Sequence, residues 1–493
     1  MAFSAGLLIS GFAVGVGLFI LYAGGMVVYR LFFHPLAKYP GPRLAATSEL
    51  WYAKHWTSGK YHKAIQAAHR KYGEVVRIAP NDLSFSTPQS FKDIYGHAVK
   101  GKKHFPKSDF FDTVGDHPGI VSVRNSGEHA RQRKYLSHAF SAKALRDQEG
   151  IMLQYVDQFI RKIGEMGKPG GKGVDLEEGF VWLTFDIIGD LTFGEPFGAV
   201  AEGRTTFWIS LLLDGVYVNN LVSWRRRLPI MNLALPFVLS KGMAEKWEKH
   251  NELTRRKMLK RLEDGDPLHR MDFFSHLLRK GGGDVPEPEL LNQATGLIVG
   301  GSETTATCLT GLVWLLLRNE KALENLEREV RAAFQNESDI TGDAASKLEY
   351  LGAVIEEGLR LFPPAGFGLQ RVSPGANVDG HYAPPGTIVS TDPFVTAHDP
   401  KYWREVDKFI PERWIGDGLQ GDVREASQPF SVGPRSCIGI NLAYLEIRII
   451  LAKMVWAYDW ELVDKELEFF EQTEMYLLWK KPSMFVRFHP KQG

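Results

Sequence analysis

The chain has 493 residues, with 59 Lys and Arg against 58 Asp and Glu, and a formal net charge of +1. That balance gives no support to nucleic acid as a partner, while 44% hydrophobic residues are ample for a large core. Only two cysteines are present, Cys308 and Cys437, which excludes a disulfide-built secreted scaffold and suits the reducing, cytosolic side of a membrane.

In chain order, residues 1–29 carry no charge, and the apolar run from Leu7 to Tyr29 is long enough to cross a bilayer. A cleaved leader would want a basic start and a shorter apolar stretch, so an uncleaved single-pass anchor over 1–30 is expected. Arg30, Lys38 and Arg43 follow at once, which places the remainder on the cytosolic side. Pro35, Pro40, Gly41 and Pro42 make residues 31–45 a stiff, non-helical hinge. Length alone would suggest about three domains. The chemical motifs below are scattered but need one site, so 46–493 is read as one domain.

Beyond the hinge the pattern is mainly α with a small β portion. Val75–Ile78 followed by Asp82–Ser86 predicts a hairpin, and Thr387–Ser390 and Met484–Phe488 predict further strands. Gly164–Gly173 and Gly281–Pro288 read as loops. Arg225, Arg226 and Arg227 read as a solvated loop, with membrane contact as the competitor because Met231–Leu239 follows. Helical patterns cover about Glu289–Arg318, Glu320–Phe334, Ser346–Phe362 and Ile438–Trp456. Gly300 and Gly301 should interrupt the first of these, since paired glycines disfavour a helix interior. Cys308 on the same pattern reads as core.

The stretch Phe430–Gly439 carries most information. Cys437 stands just before an apolar helical pattern, whose N-terminus should lower the thiol pKa. Gly433 and Gly439 would let backbone approach a flat cofactor. Arg435 could pair with a carboxylate of that cofactor, and Phe430 could shield the sulfur. A buried structural cysteine in a Gly/Pro turn is the plain alternative. A zinc site lacks further ligands at the required spacing.

This stretch resembles the haem-binding loop of the cytochrome P-450 superfamily, F-x-x-G-x-R-x-C-x-G, with all five specified residues in place. Four further stretches agree in order. Gly300-Gly301-Ser302-Glu303-Thr304-Thr305 is similar to the family's A/G-G-x-D/E-T-T segment, which implies that Glu303 admits protons and Thr304 donates a hydrogen bond where dioxygen is activated. His129 and Arg133 match the W-x-x-x-R helix, with His in place of Trp, and Arg371 matches a later arginine; all three are implied to hold haem propionates. Glu357 and Arg360, with Arg413 in a P-E-R-W version of the family's P-E-R-F segment, are implied to form a buried Glu-Arg-Arg network. Alone, E-x-x-R would be a surface ion pair of little worth.

The resemblance implies a P-450 fold, haem b with Cys437 as iron ligand, and oxygen insertion into a lipophilic small molecule. By the same resemblance, NADPH would act through a separate membrane-bound reductase in the endoplasmic reticulum. Pocket walls would come from Phe105–Val121, Phe207–Asn220, Leu297–Thr304, Ala365–Leu369 and Met475–Leu478. Lys38–Pro42 and Leu136–Ser141 look similar to filamentous-fungal members of specialised metabolism, which suggests a terpenoid, polyketide or alkaloid. A haem-thiolate lyase or isomerase acting on a peroxide is the alternative enzyme. A haem sensor or carrier is the non-enzymatic one.

Overall fold

The computed structural model describes residues 2–97, 103–112, 117–213, 227–228, 241–263, 273 and 285–491. Helix α1 (Ala2–Val28) runs into a π-helical turn, Tyr29–Phe33, and the stretch Gly11–Phe33 is long and apolar enough to cross a membrane. Phe32 and Phe33 are exposed where it leaves the body. The proline link that follows is fastened rather than free. Arg77, buried in strand β1 (Val75–Ala79), donates to the carbonyls of Arg30 at 2.7 Å and Pro80 at 2.7 Å. Arg30 in turn donates to the Thr47 carbonyl at 2.5 Å. Gly41 is needed here, because a Cβ would lie 2.3 Å from the Arg77 carbonyl oxygen.

Strand β1 pairs antiparallel with β2 (Asp82–Phe85), as the alternation predicts. Arg227, expected in a solvated loop, instead packs inward on this sheet. It bridges Asp82 at 2.7 Å and Glu49 at 3.0 Å and lies 4.2 Å over the Tyr52 ring. Arg225, Arg226 and Met231–Leu239 lie outside the described residues.

Helix α2 (Ser126–Leu136) is capped by Asn125, and α3 (Ala142–Met166) by Ser141. Because α3 continues to Met166, Gly164 is helical and the expected glycine-rich loop begins only at Gly167. Strand β3 (Val174–Asp175) leads into α4 (Leu176–Phe193), which is apolar on every side and almost wholly buried.

Helix α5 (Glu287–Leu317) crosses the molecule against α4. The expected interruption at Gly300 and Gly301 does not occur, since the helix is continuous there. Two hydroxyls there bond back to carbonyls four residues earlier: Ser302 to Ile298 at 2.6 Å and Thr304 to Gly300 at 2.7 Å. Gly301 is a packing contact, where a Cβ would fall 2.6 Å from Ile188 of α4, whereas Gly300 borders open space. Of the loop Gly281–Pro288, residues 281–284 lie outside the described set, and α5 already includes Glu287.

Helices α6 (Glu320–Ala333), α7 (Glu349–Leu361) and α8 (Ile440–Ala457) complete the body. Strands β4 (Arg371–Val372) and β5 (Ile388–Thr391) join the first hairpin in a four-stranded sheet of order β1-β2-β5-β4, with β2 and β5 parallel. Strands β6 (Tyr458–Leu462) and β7 (Phe485–Pro490) form a second sheet with β3. The fold is mainly α with a minor β part, preceded by one apolar N-terminal helix.

Candidate active site

Cys437 is held by a tight loop ahead of α8. Its N–H donates to the Phe430 carbonyl at 2.9 Å, and Ser431 (φ 58°) and Gly433 (φ 78°) take left-handed conformations that turn the chain. Gly433 is also required by close packing, for a Cβ there would lie 2.0 Å from the Tyr95 carbonyl oxygen. Gly439 is the glycine beside the sulfur, with its Cβ position 3.9 Å from Cys437 Sγ. The Phe430 ring packs at a tilt against Tyr444, with centroids 5.3 Å apart.

The thiol was expected to be lowered by the helix terminus. Burial outweighs that and pushes it up, with the Gly439 N–H and Arg133 pulling only partly the other way. Binding to a metal would deprotonate it outright.

Beside this loop the structure gathers cations. Arg435 donates to the carbonyls of Val123 and Arg124 at 2.7 and 2.8 Å. Arg133 donates to the Ser436 carbonyl at 2.7 Å. Arg371 is buried over Tyr95 and Phe111 at 5.1 and 5.5 Å, and His129 is buried on α2.

Sequence reasoning missed Lys107. It is buried, its side chain donates to the Val121 carbonyl at 2.6 Å, and its backbone pairs with that of Arg371 in an isolated antiparallel β-bridge. Only the fold marks it, because a lone lysine in a mixed stretch has no signature.

Among the described residues no acidic side chain pairs with Lys107, Arg133, Arg371 or Arg435. The electrostatics reflect this. Burial, then Arg435 and Arg371, pull Lys107 down to about 6. Burial, then the surrounding cations, pull His129 to about 3. Burial, then Arg371, bring Arg435 to about 10. A cradle of unneutralised cations beside a thiolate donor fits a cofactor carrying two carboxylates and an iron, namely haem.

The remaining predicted residues fall into two groups. Glu357, Arg360 and Arg413 are wholly buried together. Arg360 grips Glu357 bidentately at 2.8 Å on both oxygens, and Arg413 Nε adds a bond at 2.9 Å. Trp414, which departs from the family's Phe, donates its indole N–H to Glu357 at 2.9 Å. The neighbouring Glu356 accepts from Tyr444 at 2.6 Å, which ties α7 to the ring that supports Phe430.

Glu303 and Thr304 diverge on α5. Thr304 is half-buried near Gly300, while Glu303 turns to Lys481, whose Nζ lies 2.5 Å from its Oε1. Cys308 is buried core, and burial raises its thiol.

The expected pocket walls converge. Phe110 packs on Phe367 at 6.0 Å, and Trp56 meets Phe367 at 5.4 Å. Gly366 faces Met475, and Gly296 faces Val121. Residues 113–116 and 214–220 of those walls lie outside the described set.

A family model, Cytochrome P450, matches residues 40–488. The chain belongs to the cytochrome P450 family. It is 43% identical over 479 residues to cytochrome P450 monooxygenase BOA3 of Botryotinia fuckeliana (strain B05.10), covering 95% of this chain and 94% of that one. It is 41% identical over 477 residues to cytochrome P450 monooxygenase poxC of Penicillium oxalicum (strain 114-2 / CGMCC 5302), covering 95% and 92%. It is also 35% identical over 503 residues to averantin hydroxylase of Dothistroma septosporum (strain NZE10 / CBS 128990), covering 100% and 94%. This P450 is thus a haem monooxygenase, an oxidoreductase that incorporates oxygen into a small molecule with a redox partner, of the kind found in fungal secondary metabolism.

Proposed function

We propose that this P450 inserts one atom of dioxygen into a lipophilic metabolite, a terpenoid, polyketide or alkaloid, with electrons from a membrane-bound NADPH reductase. The observation that supports this most is the acid-free cluster of Lys107, His129, Arg133, Arg371 and Arg435 beside Cys437. In this reading the cluster takes the two propionates, Cys437 is the iron ligand, and Gly439 leaves space at the sulfur. Haem, when bound, supplies dioxygen activation, helped by electron donation from a thiolate ligand.

The chain's own residues do the rest. Phe110, Phe367 and Trp56 form an apolar aromatic wall that favours a lipophilic substrate and excludes water. Thr304 offers its hydroxyl on the open side of α5, free to exchange its bond to Gly300 for one to the reacting oxygen. The Glu357 network holds the segment leading into the Cys437 loop and is structural. The relative named averantin hydroxylase supports a hydroxylation.

Exposed His97, His104 and Lys134, at the rim of a recess beside the Cys437 loop, support docking of an acidic redox partner on this face. The membrane is read as the endoplasmic reticulum, with α1 as a single-pass anchor and the body from 46 to 493 facing the cytosol.

The test is incubation of the full chain with reductase, NADPH and a panel of lipophilic metabolites, read by mass for one added oxygen. The reduced protein under carbon monoxide should show the red-shifted Soret band of thiolate ligation. Turnover of a peroxide without reductase or dioxygen would indicate a lyase or isomerase instead, and binding without NADPH consumption a carrier.

A further inference from the structure

We propose that Glu177, Lys481 and Glu303 form a proton conduit that opens to solvent at the start of α4 and ends beside Thr304. It deepens the oxygenase reading above and rests on Thr304 facing the reacting oxygen. Oxygen insertion consumes two protons and two electrons for each dioxygen, and the electrons come from the reductase, so protons need their own route through a water-excluding body.

The geometry is continuous. Lys481 Nζ lies 2.5 Å from Glu303 Oε1 and 3.3 Å from Glu177 Oε1. It also donates to Thr307 Oγ1 at 3.1 Å, and Thr307 donates to Glu303 at 3.3 Å. Exposure is graded along the line: the side chain of Glu177 is 23% exposed, while Lys481 and Glu303 are at 1% and 5%. At the inner end, Glu303 Oε2 is buried and has no hydrogen-bond partner among the described residues. A buried salt bridge that served only packing would have little reason to leave one oxygen unsatisfied.

The cluster also holds one carboxylate too many for its single ammonium. Burying the surplus charge is costly, so a proton is retained near neutrality. Glu177 takes it: burial raises its carboxyl to about 7, with Glu303 and Asp175 adding to the rise and Lys481 opposing it. Burial pulls Lys481 down, but Glu303 and Glu177 together leave it above its ordinary range.

Transfer therefore keeps Lys481 charged at both ends of the step. An N–H bond toward Glu303 breaks as an O–H forms on Glu303. Simultaneously the O–H of Glu177 breaks and a new N–H forms on Lys481, and solvent reprotonates Glu177. A neutral Glu303 is held less tightly by Lys481 and is released to turn its carboxyl toward Thr304. A group poised near working pH is what general acid transfer needs.

Glu177→Gln is the decisive variant, because it keeps the shape of a partly exposed residue and removes its proton. Difference infrared spectroscopy of the holoenzyme should show a protonated carboxyl band that titrates near neutral pH and is absent from Glu177→Gln. With reductase and NADPH, the variant's product per NADPH should fall roughly tenfold, with a larger solvent hydrogen isotope effect than wild type. Lys481→Arg retains the ion pair but cannot shed a proton, so it should restore thermal stability relative to Lys481→Met without restoring coupling. A persistent infrared band, or wild-type coupling and isotope effect in Glu177→Gln, overturns the conduit. The infrared measurement requires no turnover, so the conduit can fail while oxygen insertion by the wild type stands, and the converse is equally visible.

Discussion

Glu357 and Arg413 lie 56 residues apart in sequence and 2.9 Å apart in space, both sealed from solvent. Around them Arg360, Trp414 and the Ile410 N–H complete the carboxylate's bonds. Glu357→Gln removes the charge that balances two guanidiniums. Stability should fall by about 3–5 kcal/mol, measured by urea denaturation, and the purified protein should lose most of its haem.

Trp414→Phe removes only the indole donor and restores the family's more usual residue. The loss should be about 1.5–3 kcal/mol, the range for a hydrogen bond to a charged group. Haem content should be retained. A cost as large as that of Glu357→Gln would show that Trp414 matters through packing on Trp403, whose ring lies 5.6 Å away.

Thr304→Ala should separate chemistry from folding. Among the described residues the hydroxyl bonds to its own helix at Gly300 and nowhere else, and alanine is the better helix former, so thermal stability should hold or rise slightly. Coupling of NADPH to product should drop, with peroxide released instead. Unchanged coupling would remove Thr304 from the proposed oxygen site.

The cation cluster makes a pH prediction. Lys107 is held near 6 in the folded chain, by burial first and then by Arg435 and Arg371, whereas an unfolded lysine titrates at about 10.4. Between those values the unfolded state binds a proton that the folded state does not. Stability of the haem-free protein should therefore rise with pH across this window. Two propionates reverse the shift, so Lys107 should take up close to one proton when haem binds at pH about 8, while the Cys437 thiol gives one up on becoming the ligand. Calorimetry in buffers of different ionisation heat reads the net exchange, which should be near zero in the wild type and close to one proton released in Lys107→Met.

Truncation tests the fastening of the N-terminal helix. A chain beginning at Tyr29 keeps the Arg30 carbonyl that accepts from buried Arg77, whereas one beginning at His34 loses it. The shorter chain should be less stable by roughly 1–3 kcal/mol, the cost of an unsatisfied buried donor. Equal denaturation midpoints for the two would refute the point.

The apolar N-terminal helix, the hairpin at Val75–Phe85 and the four late helices were legible in the chain because each depends on local periodicity or on an apolar run. The Cys437 loop and the Glu357, Arg360 and Arg413 residues were legible because their spacing matches a known family. Tertiary structure alone decided how charges share partners. It set Gly433 in close packing against Tyr95, raised rather than lowered the Cys437 thiol, and kept α5 unbroken where Gly301 packs on Ile188. It drew Lys107 into the cation cradle and Lys481 onto Glu303 across 178 positions of sequence. The reason is physical: periodicity reports which face of a segment is apolar, but a buried charge answers to whatever the fold brings within about 4 Å of it, and no local pattern encodes that neighbour.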